Sequence, residues 1–241
     1  QMAPVNSYNE ILRGNADLMN GYDGTLLTTY LHLDPSDVPE GTSVYDYANE
    51  QAKSAGVLLL GKLGLNNTYA IGVPQSIAEQ YSLETYTDLA AVSDQLVFAA
   101  EHDFFSEEGS AKYNPMCEFY GFQFKQANQI DLSLKYSAIE SGNVDVAIVY
   151  STDGLNKKVG LKVLEDDRSF FPEYNCALLV RADIFEKFQE TAPNLEEVLD
   201  LLTGQVSSDD MVELTYAVDV DGRPVDEVAR EMLVAKGLLA E

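Results

Sequence analysis

The sequence predicts an α/β protein built as two similar lobes, and three observations carry that prediction. Helix-spaced and strand-like apolar stretches alternate from start to finish. A helix–glycine–strand–tyrosine unit occurs twice. No Pro/Gly/Ser-rich linker divides the chain, so two lobes must be joined by ordered crossings. The 241 residues suffice for one large α/β domain or two small lobes.

The elements follow in order. Val5–Leu12 reads as a short helix closed near Gly14, and Ala16–Leu18 as a brief strand. A helix follows Gly24 through Leu26, Leu27, Tyr30 and Leu31, and another spans Tyr45–Ala55. Leu58–Leu60 and Tyr69–Val73 read as strands. Helix Thr87–Gln95 precedes strand Leu96–Ala99, and helix Ile130–Ser141 precedes strand Val144–Val149. Cys176–Val180 is the last strand. Asn194 with Glu197 predicts a capping box on a helix ended by Gly204. Pro224 opens a final helix with an apolar stripe of Val225, Val228, Ala229, Met232 and Leu233, stopped by Gly237.

The repeat pairs Gly14-Asn15-Ala16-Asp17, followed by Tyr22, with Gly142-Asn143-Val144-Asp145, followed by Tyr150. Each Gly ends a helix, each Asp begins a strand, and each Tyr falls just past that strand. Ligands of open α/β sheets bind beyond the carboxyl ends of strands. The two tyrosines are therefore expected on either side of a cleft in a two-lobed clamp.

The net charge is −25, with a pI near 4.1. Such acidity argues against nucleic acid, whose phosphates need Lys and Arg, and disfavours anionic lipid. It can steer cationic ligands, and it equally suits a charged, soluble surface. Cys117 and Cys176 give neither a disulfide framework nor a zinc site, although one bridge between them is open. No apolar run approaches a membrane span. Gln1 leads almost directly into a helical pattern, so the chain reads as already processed or trimmed.

There are 14 Tyr and no Trp. Tyr22 in GYDGT, Tyr69 in NNTYA, Tyr150 in VYSTDG and Tyr174 in FFPEYNC have polar, turn-like neighbours. Such rings are more often presented at a surface or cleft than packed in a core. A quaternary ammonium donates no hydrogen bond, so aromatic faces suit it better than a carboxylate alone.

These motifs resemble, in the same order, the osmoprotectant-binding proteins of ABC importers for choline, glycine betaine and carnitine. GYDGT is similar to that family's EYTGT segment. NNTYA, YSTDG, the Leu164-Glu165-Asp166-Asp167-Arg168 stretch with FFPEY, and VAREMLVAKGLL extend the likeness over nearly the whole chain. The resemblance implies a two-lobe periplasmic-binding (type II) fold. It implies no enzyme activity, no metal and no cofactor. It implies a small cationic solute, with ABC permease subunits as partners in the membrane. It places the solute's trimethylammonium head in a cage of Tyr22, Tyr69, Tyr150 and Tyr174. Thr25 and Asn67 match polar pocket positions, and Asp153 is read as a helix N-cap. Lobe one is expected at residues 1–74 plus 175–241 and lobe two at 75–174. Family members carry a further strand, helix and strand before the place where Gln1 falls, so a missing N-terminal portion is expected. The resemblance also implies an extracellular, membrane-associated protein, lipid-anchored in full length, or a periplasmic one.

Other signals are weaker. Gly56-Val57-Leu58-Leu59-Leu60-Gly61-Lys62-Leu63 nearly fits a phosphate loop but lacks the final Ser/Thr. His32 and His102 lack zinc spacing, and no nucleophile elbow accompanies His102-Asp103. Adjacent Asp166 and Asp167 read as a capping loop. Three alternatives stay open: the same fold for another small solute such as an amino acid, an enzyme on a small cationic metabolite, and an interaction domain without a ligand.

Overall fold

Eight strands form two separate sheets in the computed structural model, which describes residues 4–106 and 111–240. They are β1 (Leu18–Tyr22), β2 (Val57–Asn66), β3 (Tyr69–Pro74), β4 (Val97–Ala100), β5 (Gln126–Gln129), β6 (Val146–Tyr150), β7 (Leu161–Val163) and β8 (Asn175–Arg181). The first sheet has the order β1-β8-β2 and is antiparallel throughout. The second has the order β5-β4-β6-β3-β7. In it β5, β4 and β6 run parallel, and β3 runs antiparallel to both β6 and β7.

The chain divides into two compact units. Unit one comprises Gln1–Asn67, Glu173–Asp210 and Arg230–Glu241; unit two comprises Thr68–Pro172 and Met211–Ala229. Unit one packs Tyr8, Ile11, Leu26, Leu27, Ala48 and Leu179 around its sheet. Unit two has a larger, aromatic core that includes Ile71, Tyr86, Phe98, Phe104 and Phe171.

These boundaries differ from the expected 74/75 and 174/175 for physical reasons. β3 is hydrogen-bonded between β6 and β7, which commits residues 69–74 to unit two. The chain has returned to unit one by Tyr174, whose amide donates to Asn66 Oδ1 at 2.6 Å and whose carbonyl accepts from Asn67 at 3.1 Å. Residues 211–229 join unit two because the Gly154 amide donates to Thr215 Oγ1 at 3.0 Å.

The elements of the repeat are present with shifted edges. Gly14 (φ +76) and Gly142 (φ +71) both end helices in the left-handed region that glycine adopts freely. Strands begin two residues later than expected, so Tyr22 and Tyr150 are the last residues of β1 and β6 rather than the residues after them. Asp153 caps the helix Gly154–Lys158, accepting from the Leu155 amide at 2.9 Å.

Two expectations fail. Asn194 precedes the helix Leu195–Asp200, but its backbone (φ −101, ψ 16) is not extended and its side chain makes no cap hydrogen bond. Val225 in the final helix Val225–Ala235 is 66% exposed, while Val228 is buried. The near-phosphate-loop glycines belong to the bulged strand β2. A Cβ on Gly61 would lie 2.1 Å from Thr203 Oγ1, so the glycine admits a close neighbour, and no phosphate is needed to explain it. Cys117 and Cys176 are free thiols, in units two and one respectively. Gln1, where the missing portion was expected to join, lies outside the described residues.

Candidate functional site

In unit one, three segments are tied together around two tyrosines. Tyr22 ends β1 opposite Cys176, and its hydroxyl hydrogen-bonds with Asn67 and Cys176. Asn67 in turn binds the Tyr174 carbonyl, and Asn66 holds the Tyr174 amide. The Tyr174 ring lies over Gly24, where a Cβ would come within 2.7 Å of a ring carbon. Asp23 completes the knot. Its Oδ1 accepts from the amides of Gly24 (2.7 Å) and Asn175 (2.9 Å), and its Oδ2 accepts from Asn175 Nδ2 (2.8 Å). Thr25 is half-buried in the helical turn Asp23–Thr25 that follows. The structure therefore brings four of the six expected site residues, Tyr22, Thr25, Asn67 and Tyr174, to one place on unit one.

In unit two, β3 and β6 pair so that Tyr69 stands directly opposite Tyr150. The rings stack with centroids 5.3 Å apart and planes 26° apart. Phe104 meets Tyr69 edge-on at 5.5 Å, and Phe171 packs against it at 6.0 Å. Tyr150 remains 39% exposed at the strand end. Its carbonyl accepts from Asn156 Nδ2 at 2.8 Å, which fixes the turn into the following helix.

A cation already lies against this aromatic group. Lys135 is 1% exposed, its Nζ is 2.9 Å from Glu101 Oε1, and it stands 5.2 Å and 5.9 Å from the ring centroids of Tyr136 and Tyr150. Tyr136 donates to Asp153 Oδ2 at 2.5 Å. Burial, then the neighbouring Tyr150, pushes the Tyr69 phenol well above its ordinary range. Burial also raises Tyr22 and Tyr174, with the charge of Asp23 adding at Tyr174. Burial raises the Asp23 carboxyl, opposed by its N–H donors. These phenols stay neutral in water near pH 7 and offer their ring faces and hydroxyls. The arrangement can bind; no nucleophile–base pair is part of it.

The sequence pattern of the "Substrate binding domain of ABC-type glycine betaine transport system" matches residues 2–235. The chain belongs to this family.

Several named proteins are similar to this chain. An "ergothioneine transport permease/ergothioneine binding protein" of Helicobacter pylori is 31% identical over 97% of this chain and 41% of its own length. A "carnitine transport binding protein" of Listeria monocytogenes is 32% identical over 70% of this chain and 54% of its own. This chain therefore spans about half the length of those two relatives. A "glycine-betaine-binding protein" of Pseudomonas aeruginosa is 29% identical over 94% of this chain and 74% of its own length. Among solved structures, a "glycine betaine/carnitine/choline ABC transporter" superposes with a TM-score of 0.87 and 28% identity, over 99% of this chain and 85% of that one. The two-lobe periplasmic-binding fold expected from the sequence is borne out.

Sequence reasoning singled out the tyrosines of this family member but passed over Asp23, Asn66, Lys135 and Phe171. Asp23 lies within GYDGT, but nothing in that motif marks it as a fully buried carboxylate. Lys135 sits in a predicted helix with nothing in its spacing to mark a buried charge. Among the described residues no group of three or more His, Cys, Asp or Glu is placed to hold a metal. His102 meets Gln129 at 2.9 Å and Asp103 meets Lys112, so the two do not form a general-base pair.

Proposed function

We propose that this chain captures a solute bearing a trimethylammonium head, such as glycine betaine, carnitine or choline, and delivers it to the permease subunits of an ABC importer outside the cytoplasmic membrane. The carrying observation is the stacked Tyr69–Tyr150 pair, with a Lys135 ammonium resting against the same aromatic group. Ring faces of this kind attract a cation, and the Lys135 charge that would repel one is paired with Glu101. On unit one, Tyr22 and the Tyr174 ring over Gly24 supply two further aromatic side chains, with Asn67 as a polar neighbour of both. Family membership supports the role as a binding component without turnover. The names of the relatives support the solute class; ergothioneine too carries a trimethylammonium group and a carboxylate.

Calorimetric titration with choline, glycine betaine, carnitine and ergothioneine tests this reading. It predicts saturable binding of at least one, with no product formed on prolonged incubation. A folded protein that binds none of the four, or that converts one, contradicts it.

A further inference from the structure

We propose that Asp23 is a specificity-determining residue: its buried charge beside Tyr22 and Tyr174 adds to the tyrosine faces in selecting a cationic head over a neutral one of the same shape. This rests on the reading of the chain as a quaternary-ammonium binder.

Asp23 is fully buried, with 0% exposure. Its three close hydrogen-bond partners, at 2.7, 2.8 and 2.9 Å, are all N–H donors. A protonated carboxyl needs an acceptor for its own proton, so this set of partners fits the anion. None of the three is a cation. Lys62, whose charge is felt at Asp23, stands 5.0 Å over the ring of Tyr45. Burying an anion is costly unless it is both hydrogen-bonded and matched by opposite charge. The hydrogen bonds are present, and a solute cation supplies the match.

The place of the charge makes it relevant to the solute. Asp23 follows Tyr22 directly, and its field reaches the phenol of Tyr174 and the thiol of Cys176. Its neighbour Gly24 forms the floor under the Tyr174 ring. Aromatic faces alone already prefer a cation, so the charge shows as an added preference.

The test compares each solute with its carbon isostere, in which a quaternary carbon replaces the nitrogen: choline against tert-butylethanol, and glycine betaine against the tert-butylacetate anion. Affinities are measured by calorimetry for wild type and for two neutral variants, Asp23→Asn and Asp23→Thr, each checked for folding by thermal melting. The expected result is a fall of about tenfold in the preference for the cation over its isostere. A neutral variant that weakens both members of a pair equally overturns the proposal and makes Asp23 a scaffold residue. A wild-type chain that binds none of choline, glycine betaine, carnitine and ergothioneine overturns the functional reading, and this proposal with it.

Discussion

Tyr174 owes its place to what lies beneath and behind it. Gly24 leaves room for the ring, Asn66 and Asn67 grip its amide and carbonyl, and Asp23 anchors the next residue. Gly24→Ala is expected to push the ring off its seat, lowering stability by about 1–3 kcal/mol and weakening solute binding. Thermal melting and titration of the variant check this; unchanged affinity would show that the ring's position is unimportant. The polar neighbours of the four tyrosines were legible in the sequence, but their packing was not: Tyr69 meets Phe104 at 5.5 Å and Phe171 at 6.0 Å. The residues that hold them were not legible. Asn66, Asp23 and Phe171 act through contacts between segments far apart in the chain, and such contacts leave no local spacing.

At the scale of elements, β2 shows where sequence patterning falls short. Its ten residues read as a three-residue strand because Gly61 and Gly64 look like turn residues. They are there because residues 203–206 run close alongside: the amides of Gly204 and Val206 donate to the carbonyls of Lys62 and Leu63, both at 2.9 Å. Gly61→Ala should therefore destabilise unit one by about 1–3 kcal/mol, and adding Thr203→Gly should restore much of the loss. Denaturant unfolding of the single and double variants measures the coupling; additive effects would place the strain elsewhere. β5 and β7 were missed for simpler reasons. The QANQ sequence of β5 is polar and lies at the sheet edge, and β7 has only three residues. Long apolar runs such as β6 and β8 were found because burial on both faces leaves a continuous signal.

For the whole molecule, the alternation of helices and strands and the repeat were enough to predict an α/β fold in two parts. The unit boundaries were harder. Strand β3 is adjacent in sequence to β2 but pairs in the other sheet, and pairing partners are not written in local composition. The chain has 40 acidic and 15 basic residues. Self-repulsion at that charge opposes the folded state and is screened over about 10 Å at 0.1 M salt. The melting temperature should rise by a few degrees from low to moderate sodium chloride; a fall would mean that ion pairs such as Lys135–Glu101 outweigh the repulsion.

The central claim is that tyrosine faces hold a trimethylammonium head, and Tyr150 is the most direct place to test it. For whichever solute binds wild type, titrations of Tyr150→Ala and Tyr150→Phe should differ. Loss of the ring should weaken binding by about 1–2 kcal/mol, while the Phe variant, which keeps a ring face, should lose less. Equal losses from both variants would contradict the aromatic account and assign the contact to the Tyr150 hydroxyl.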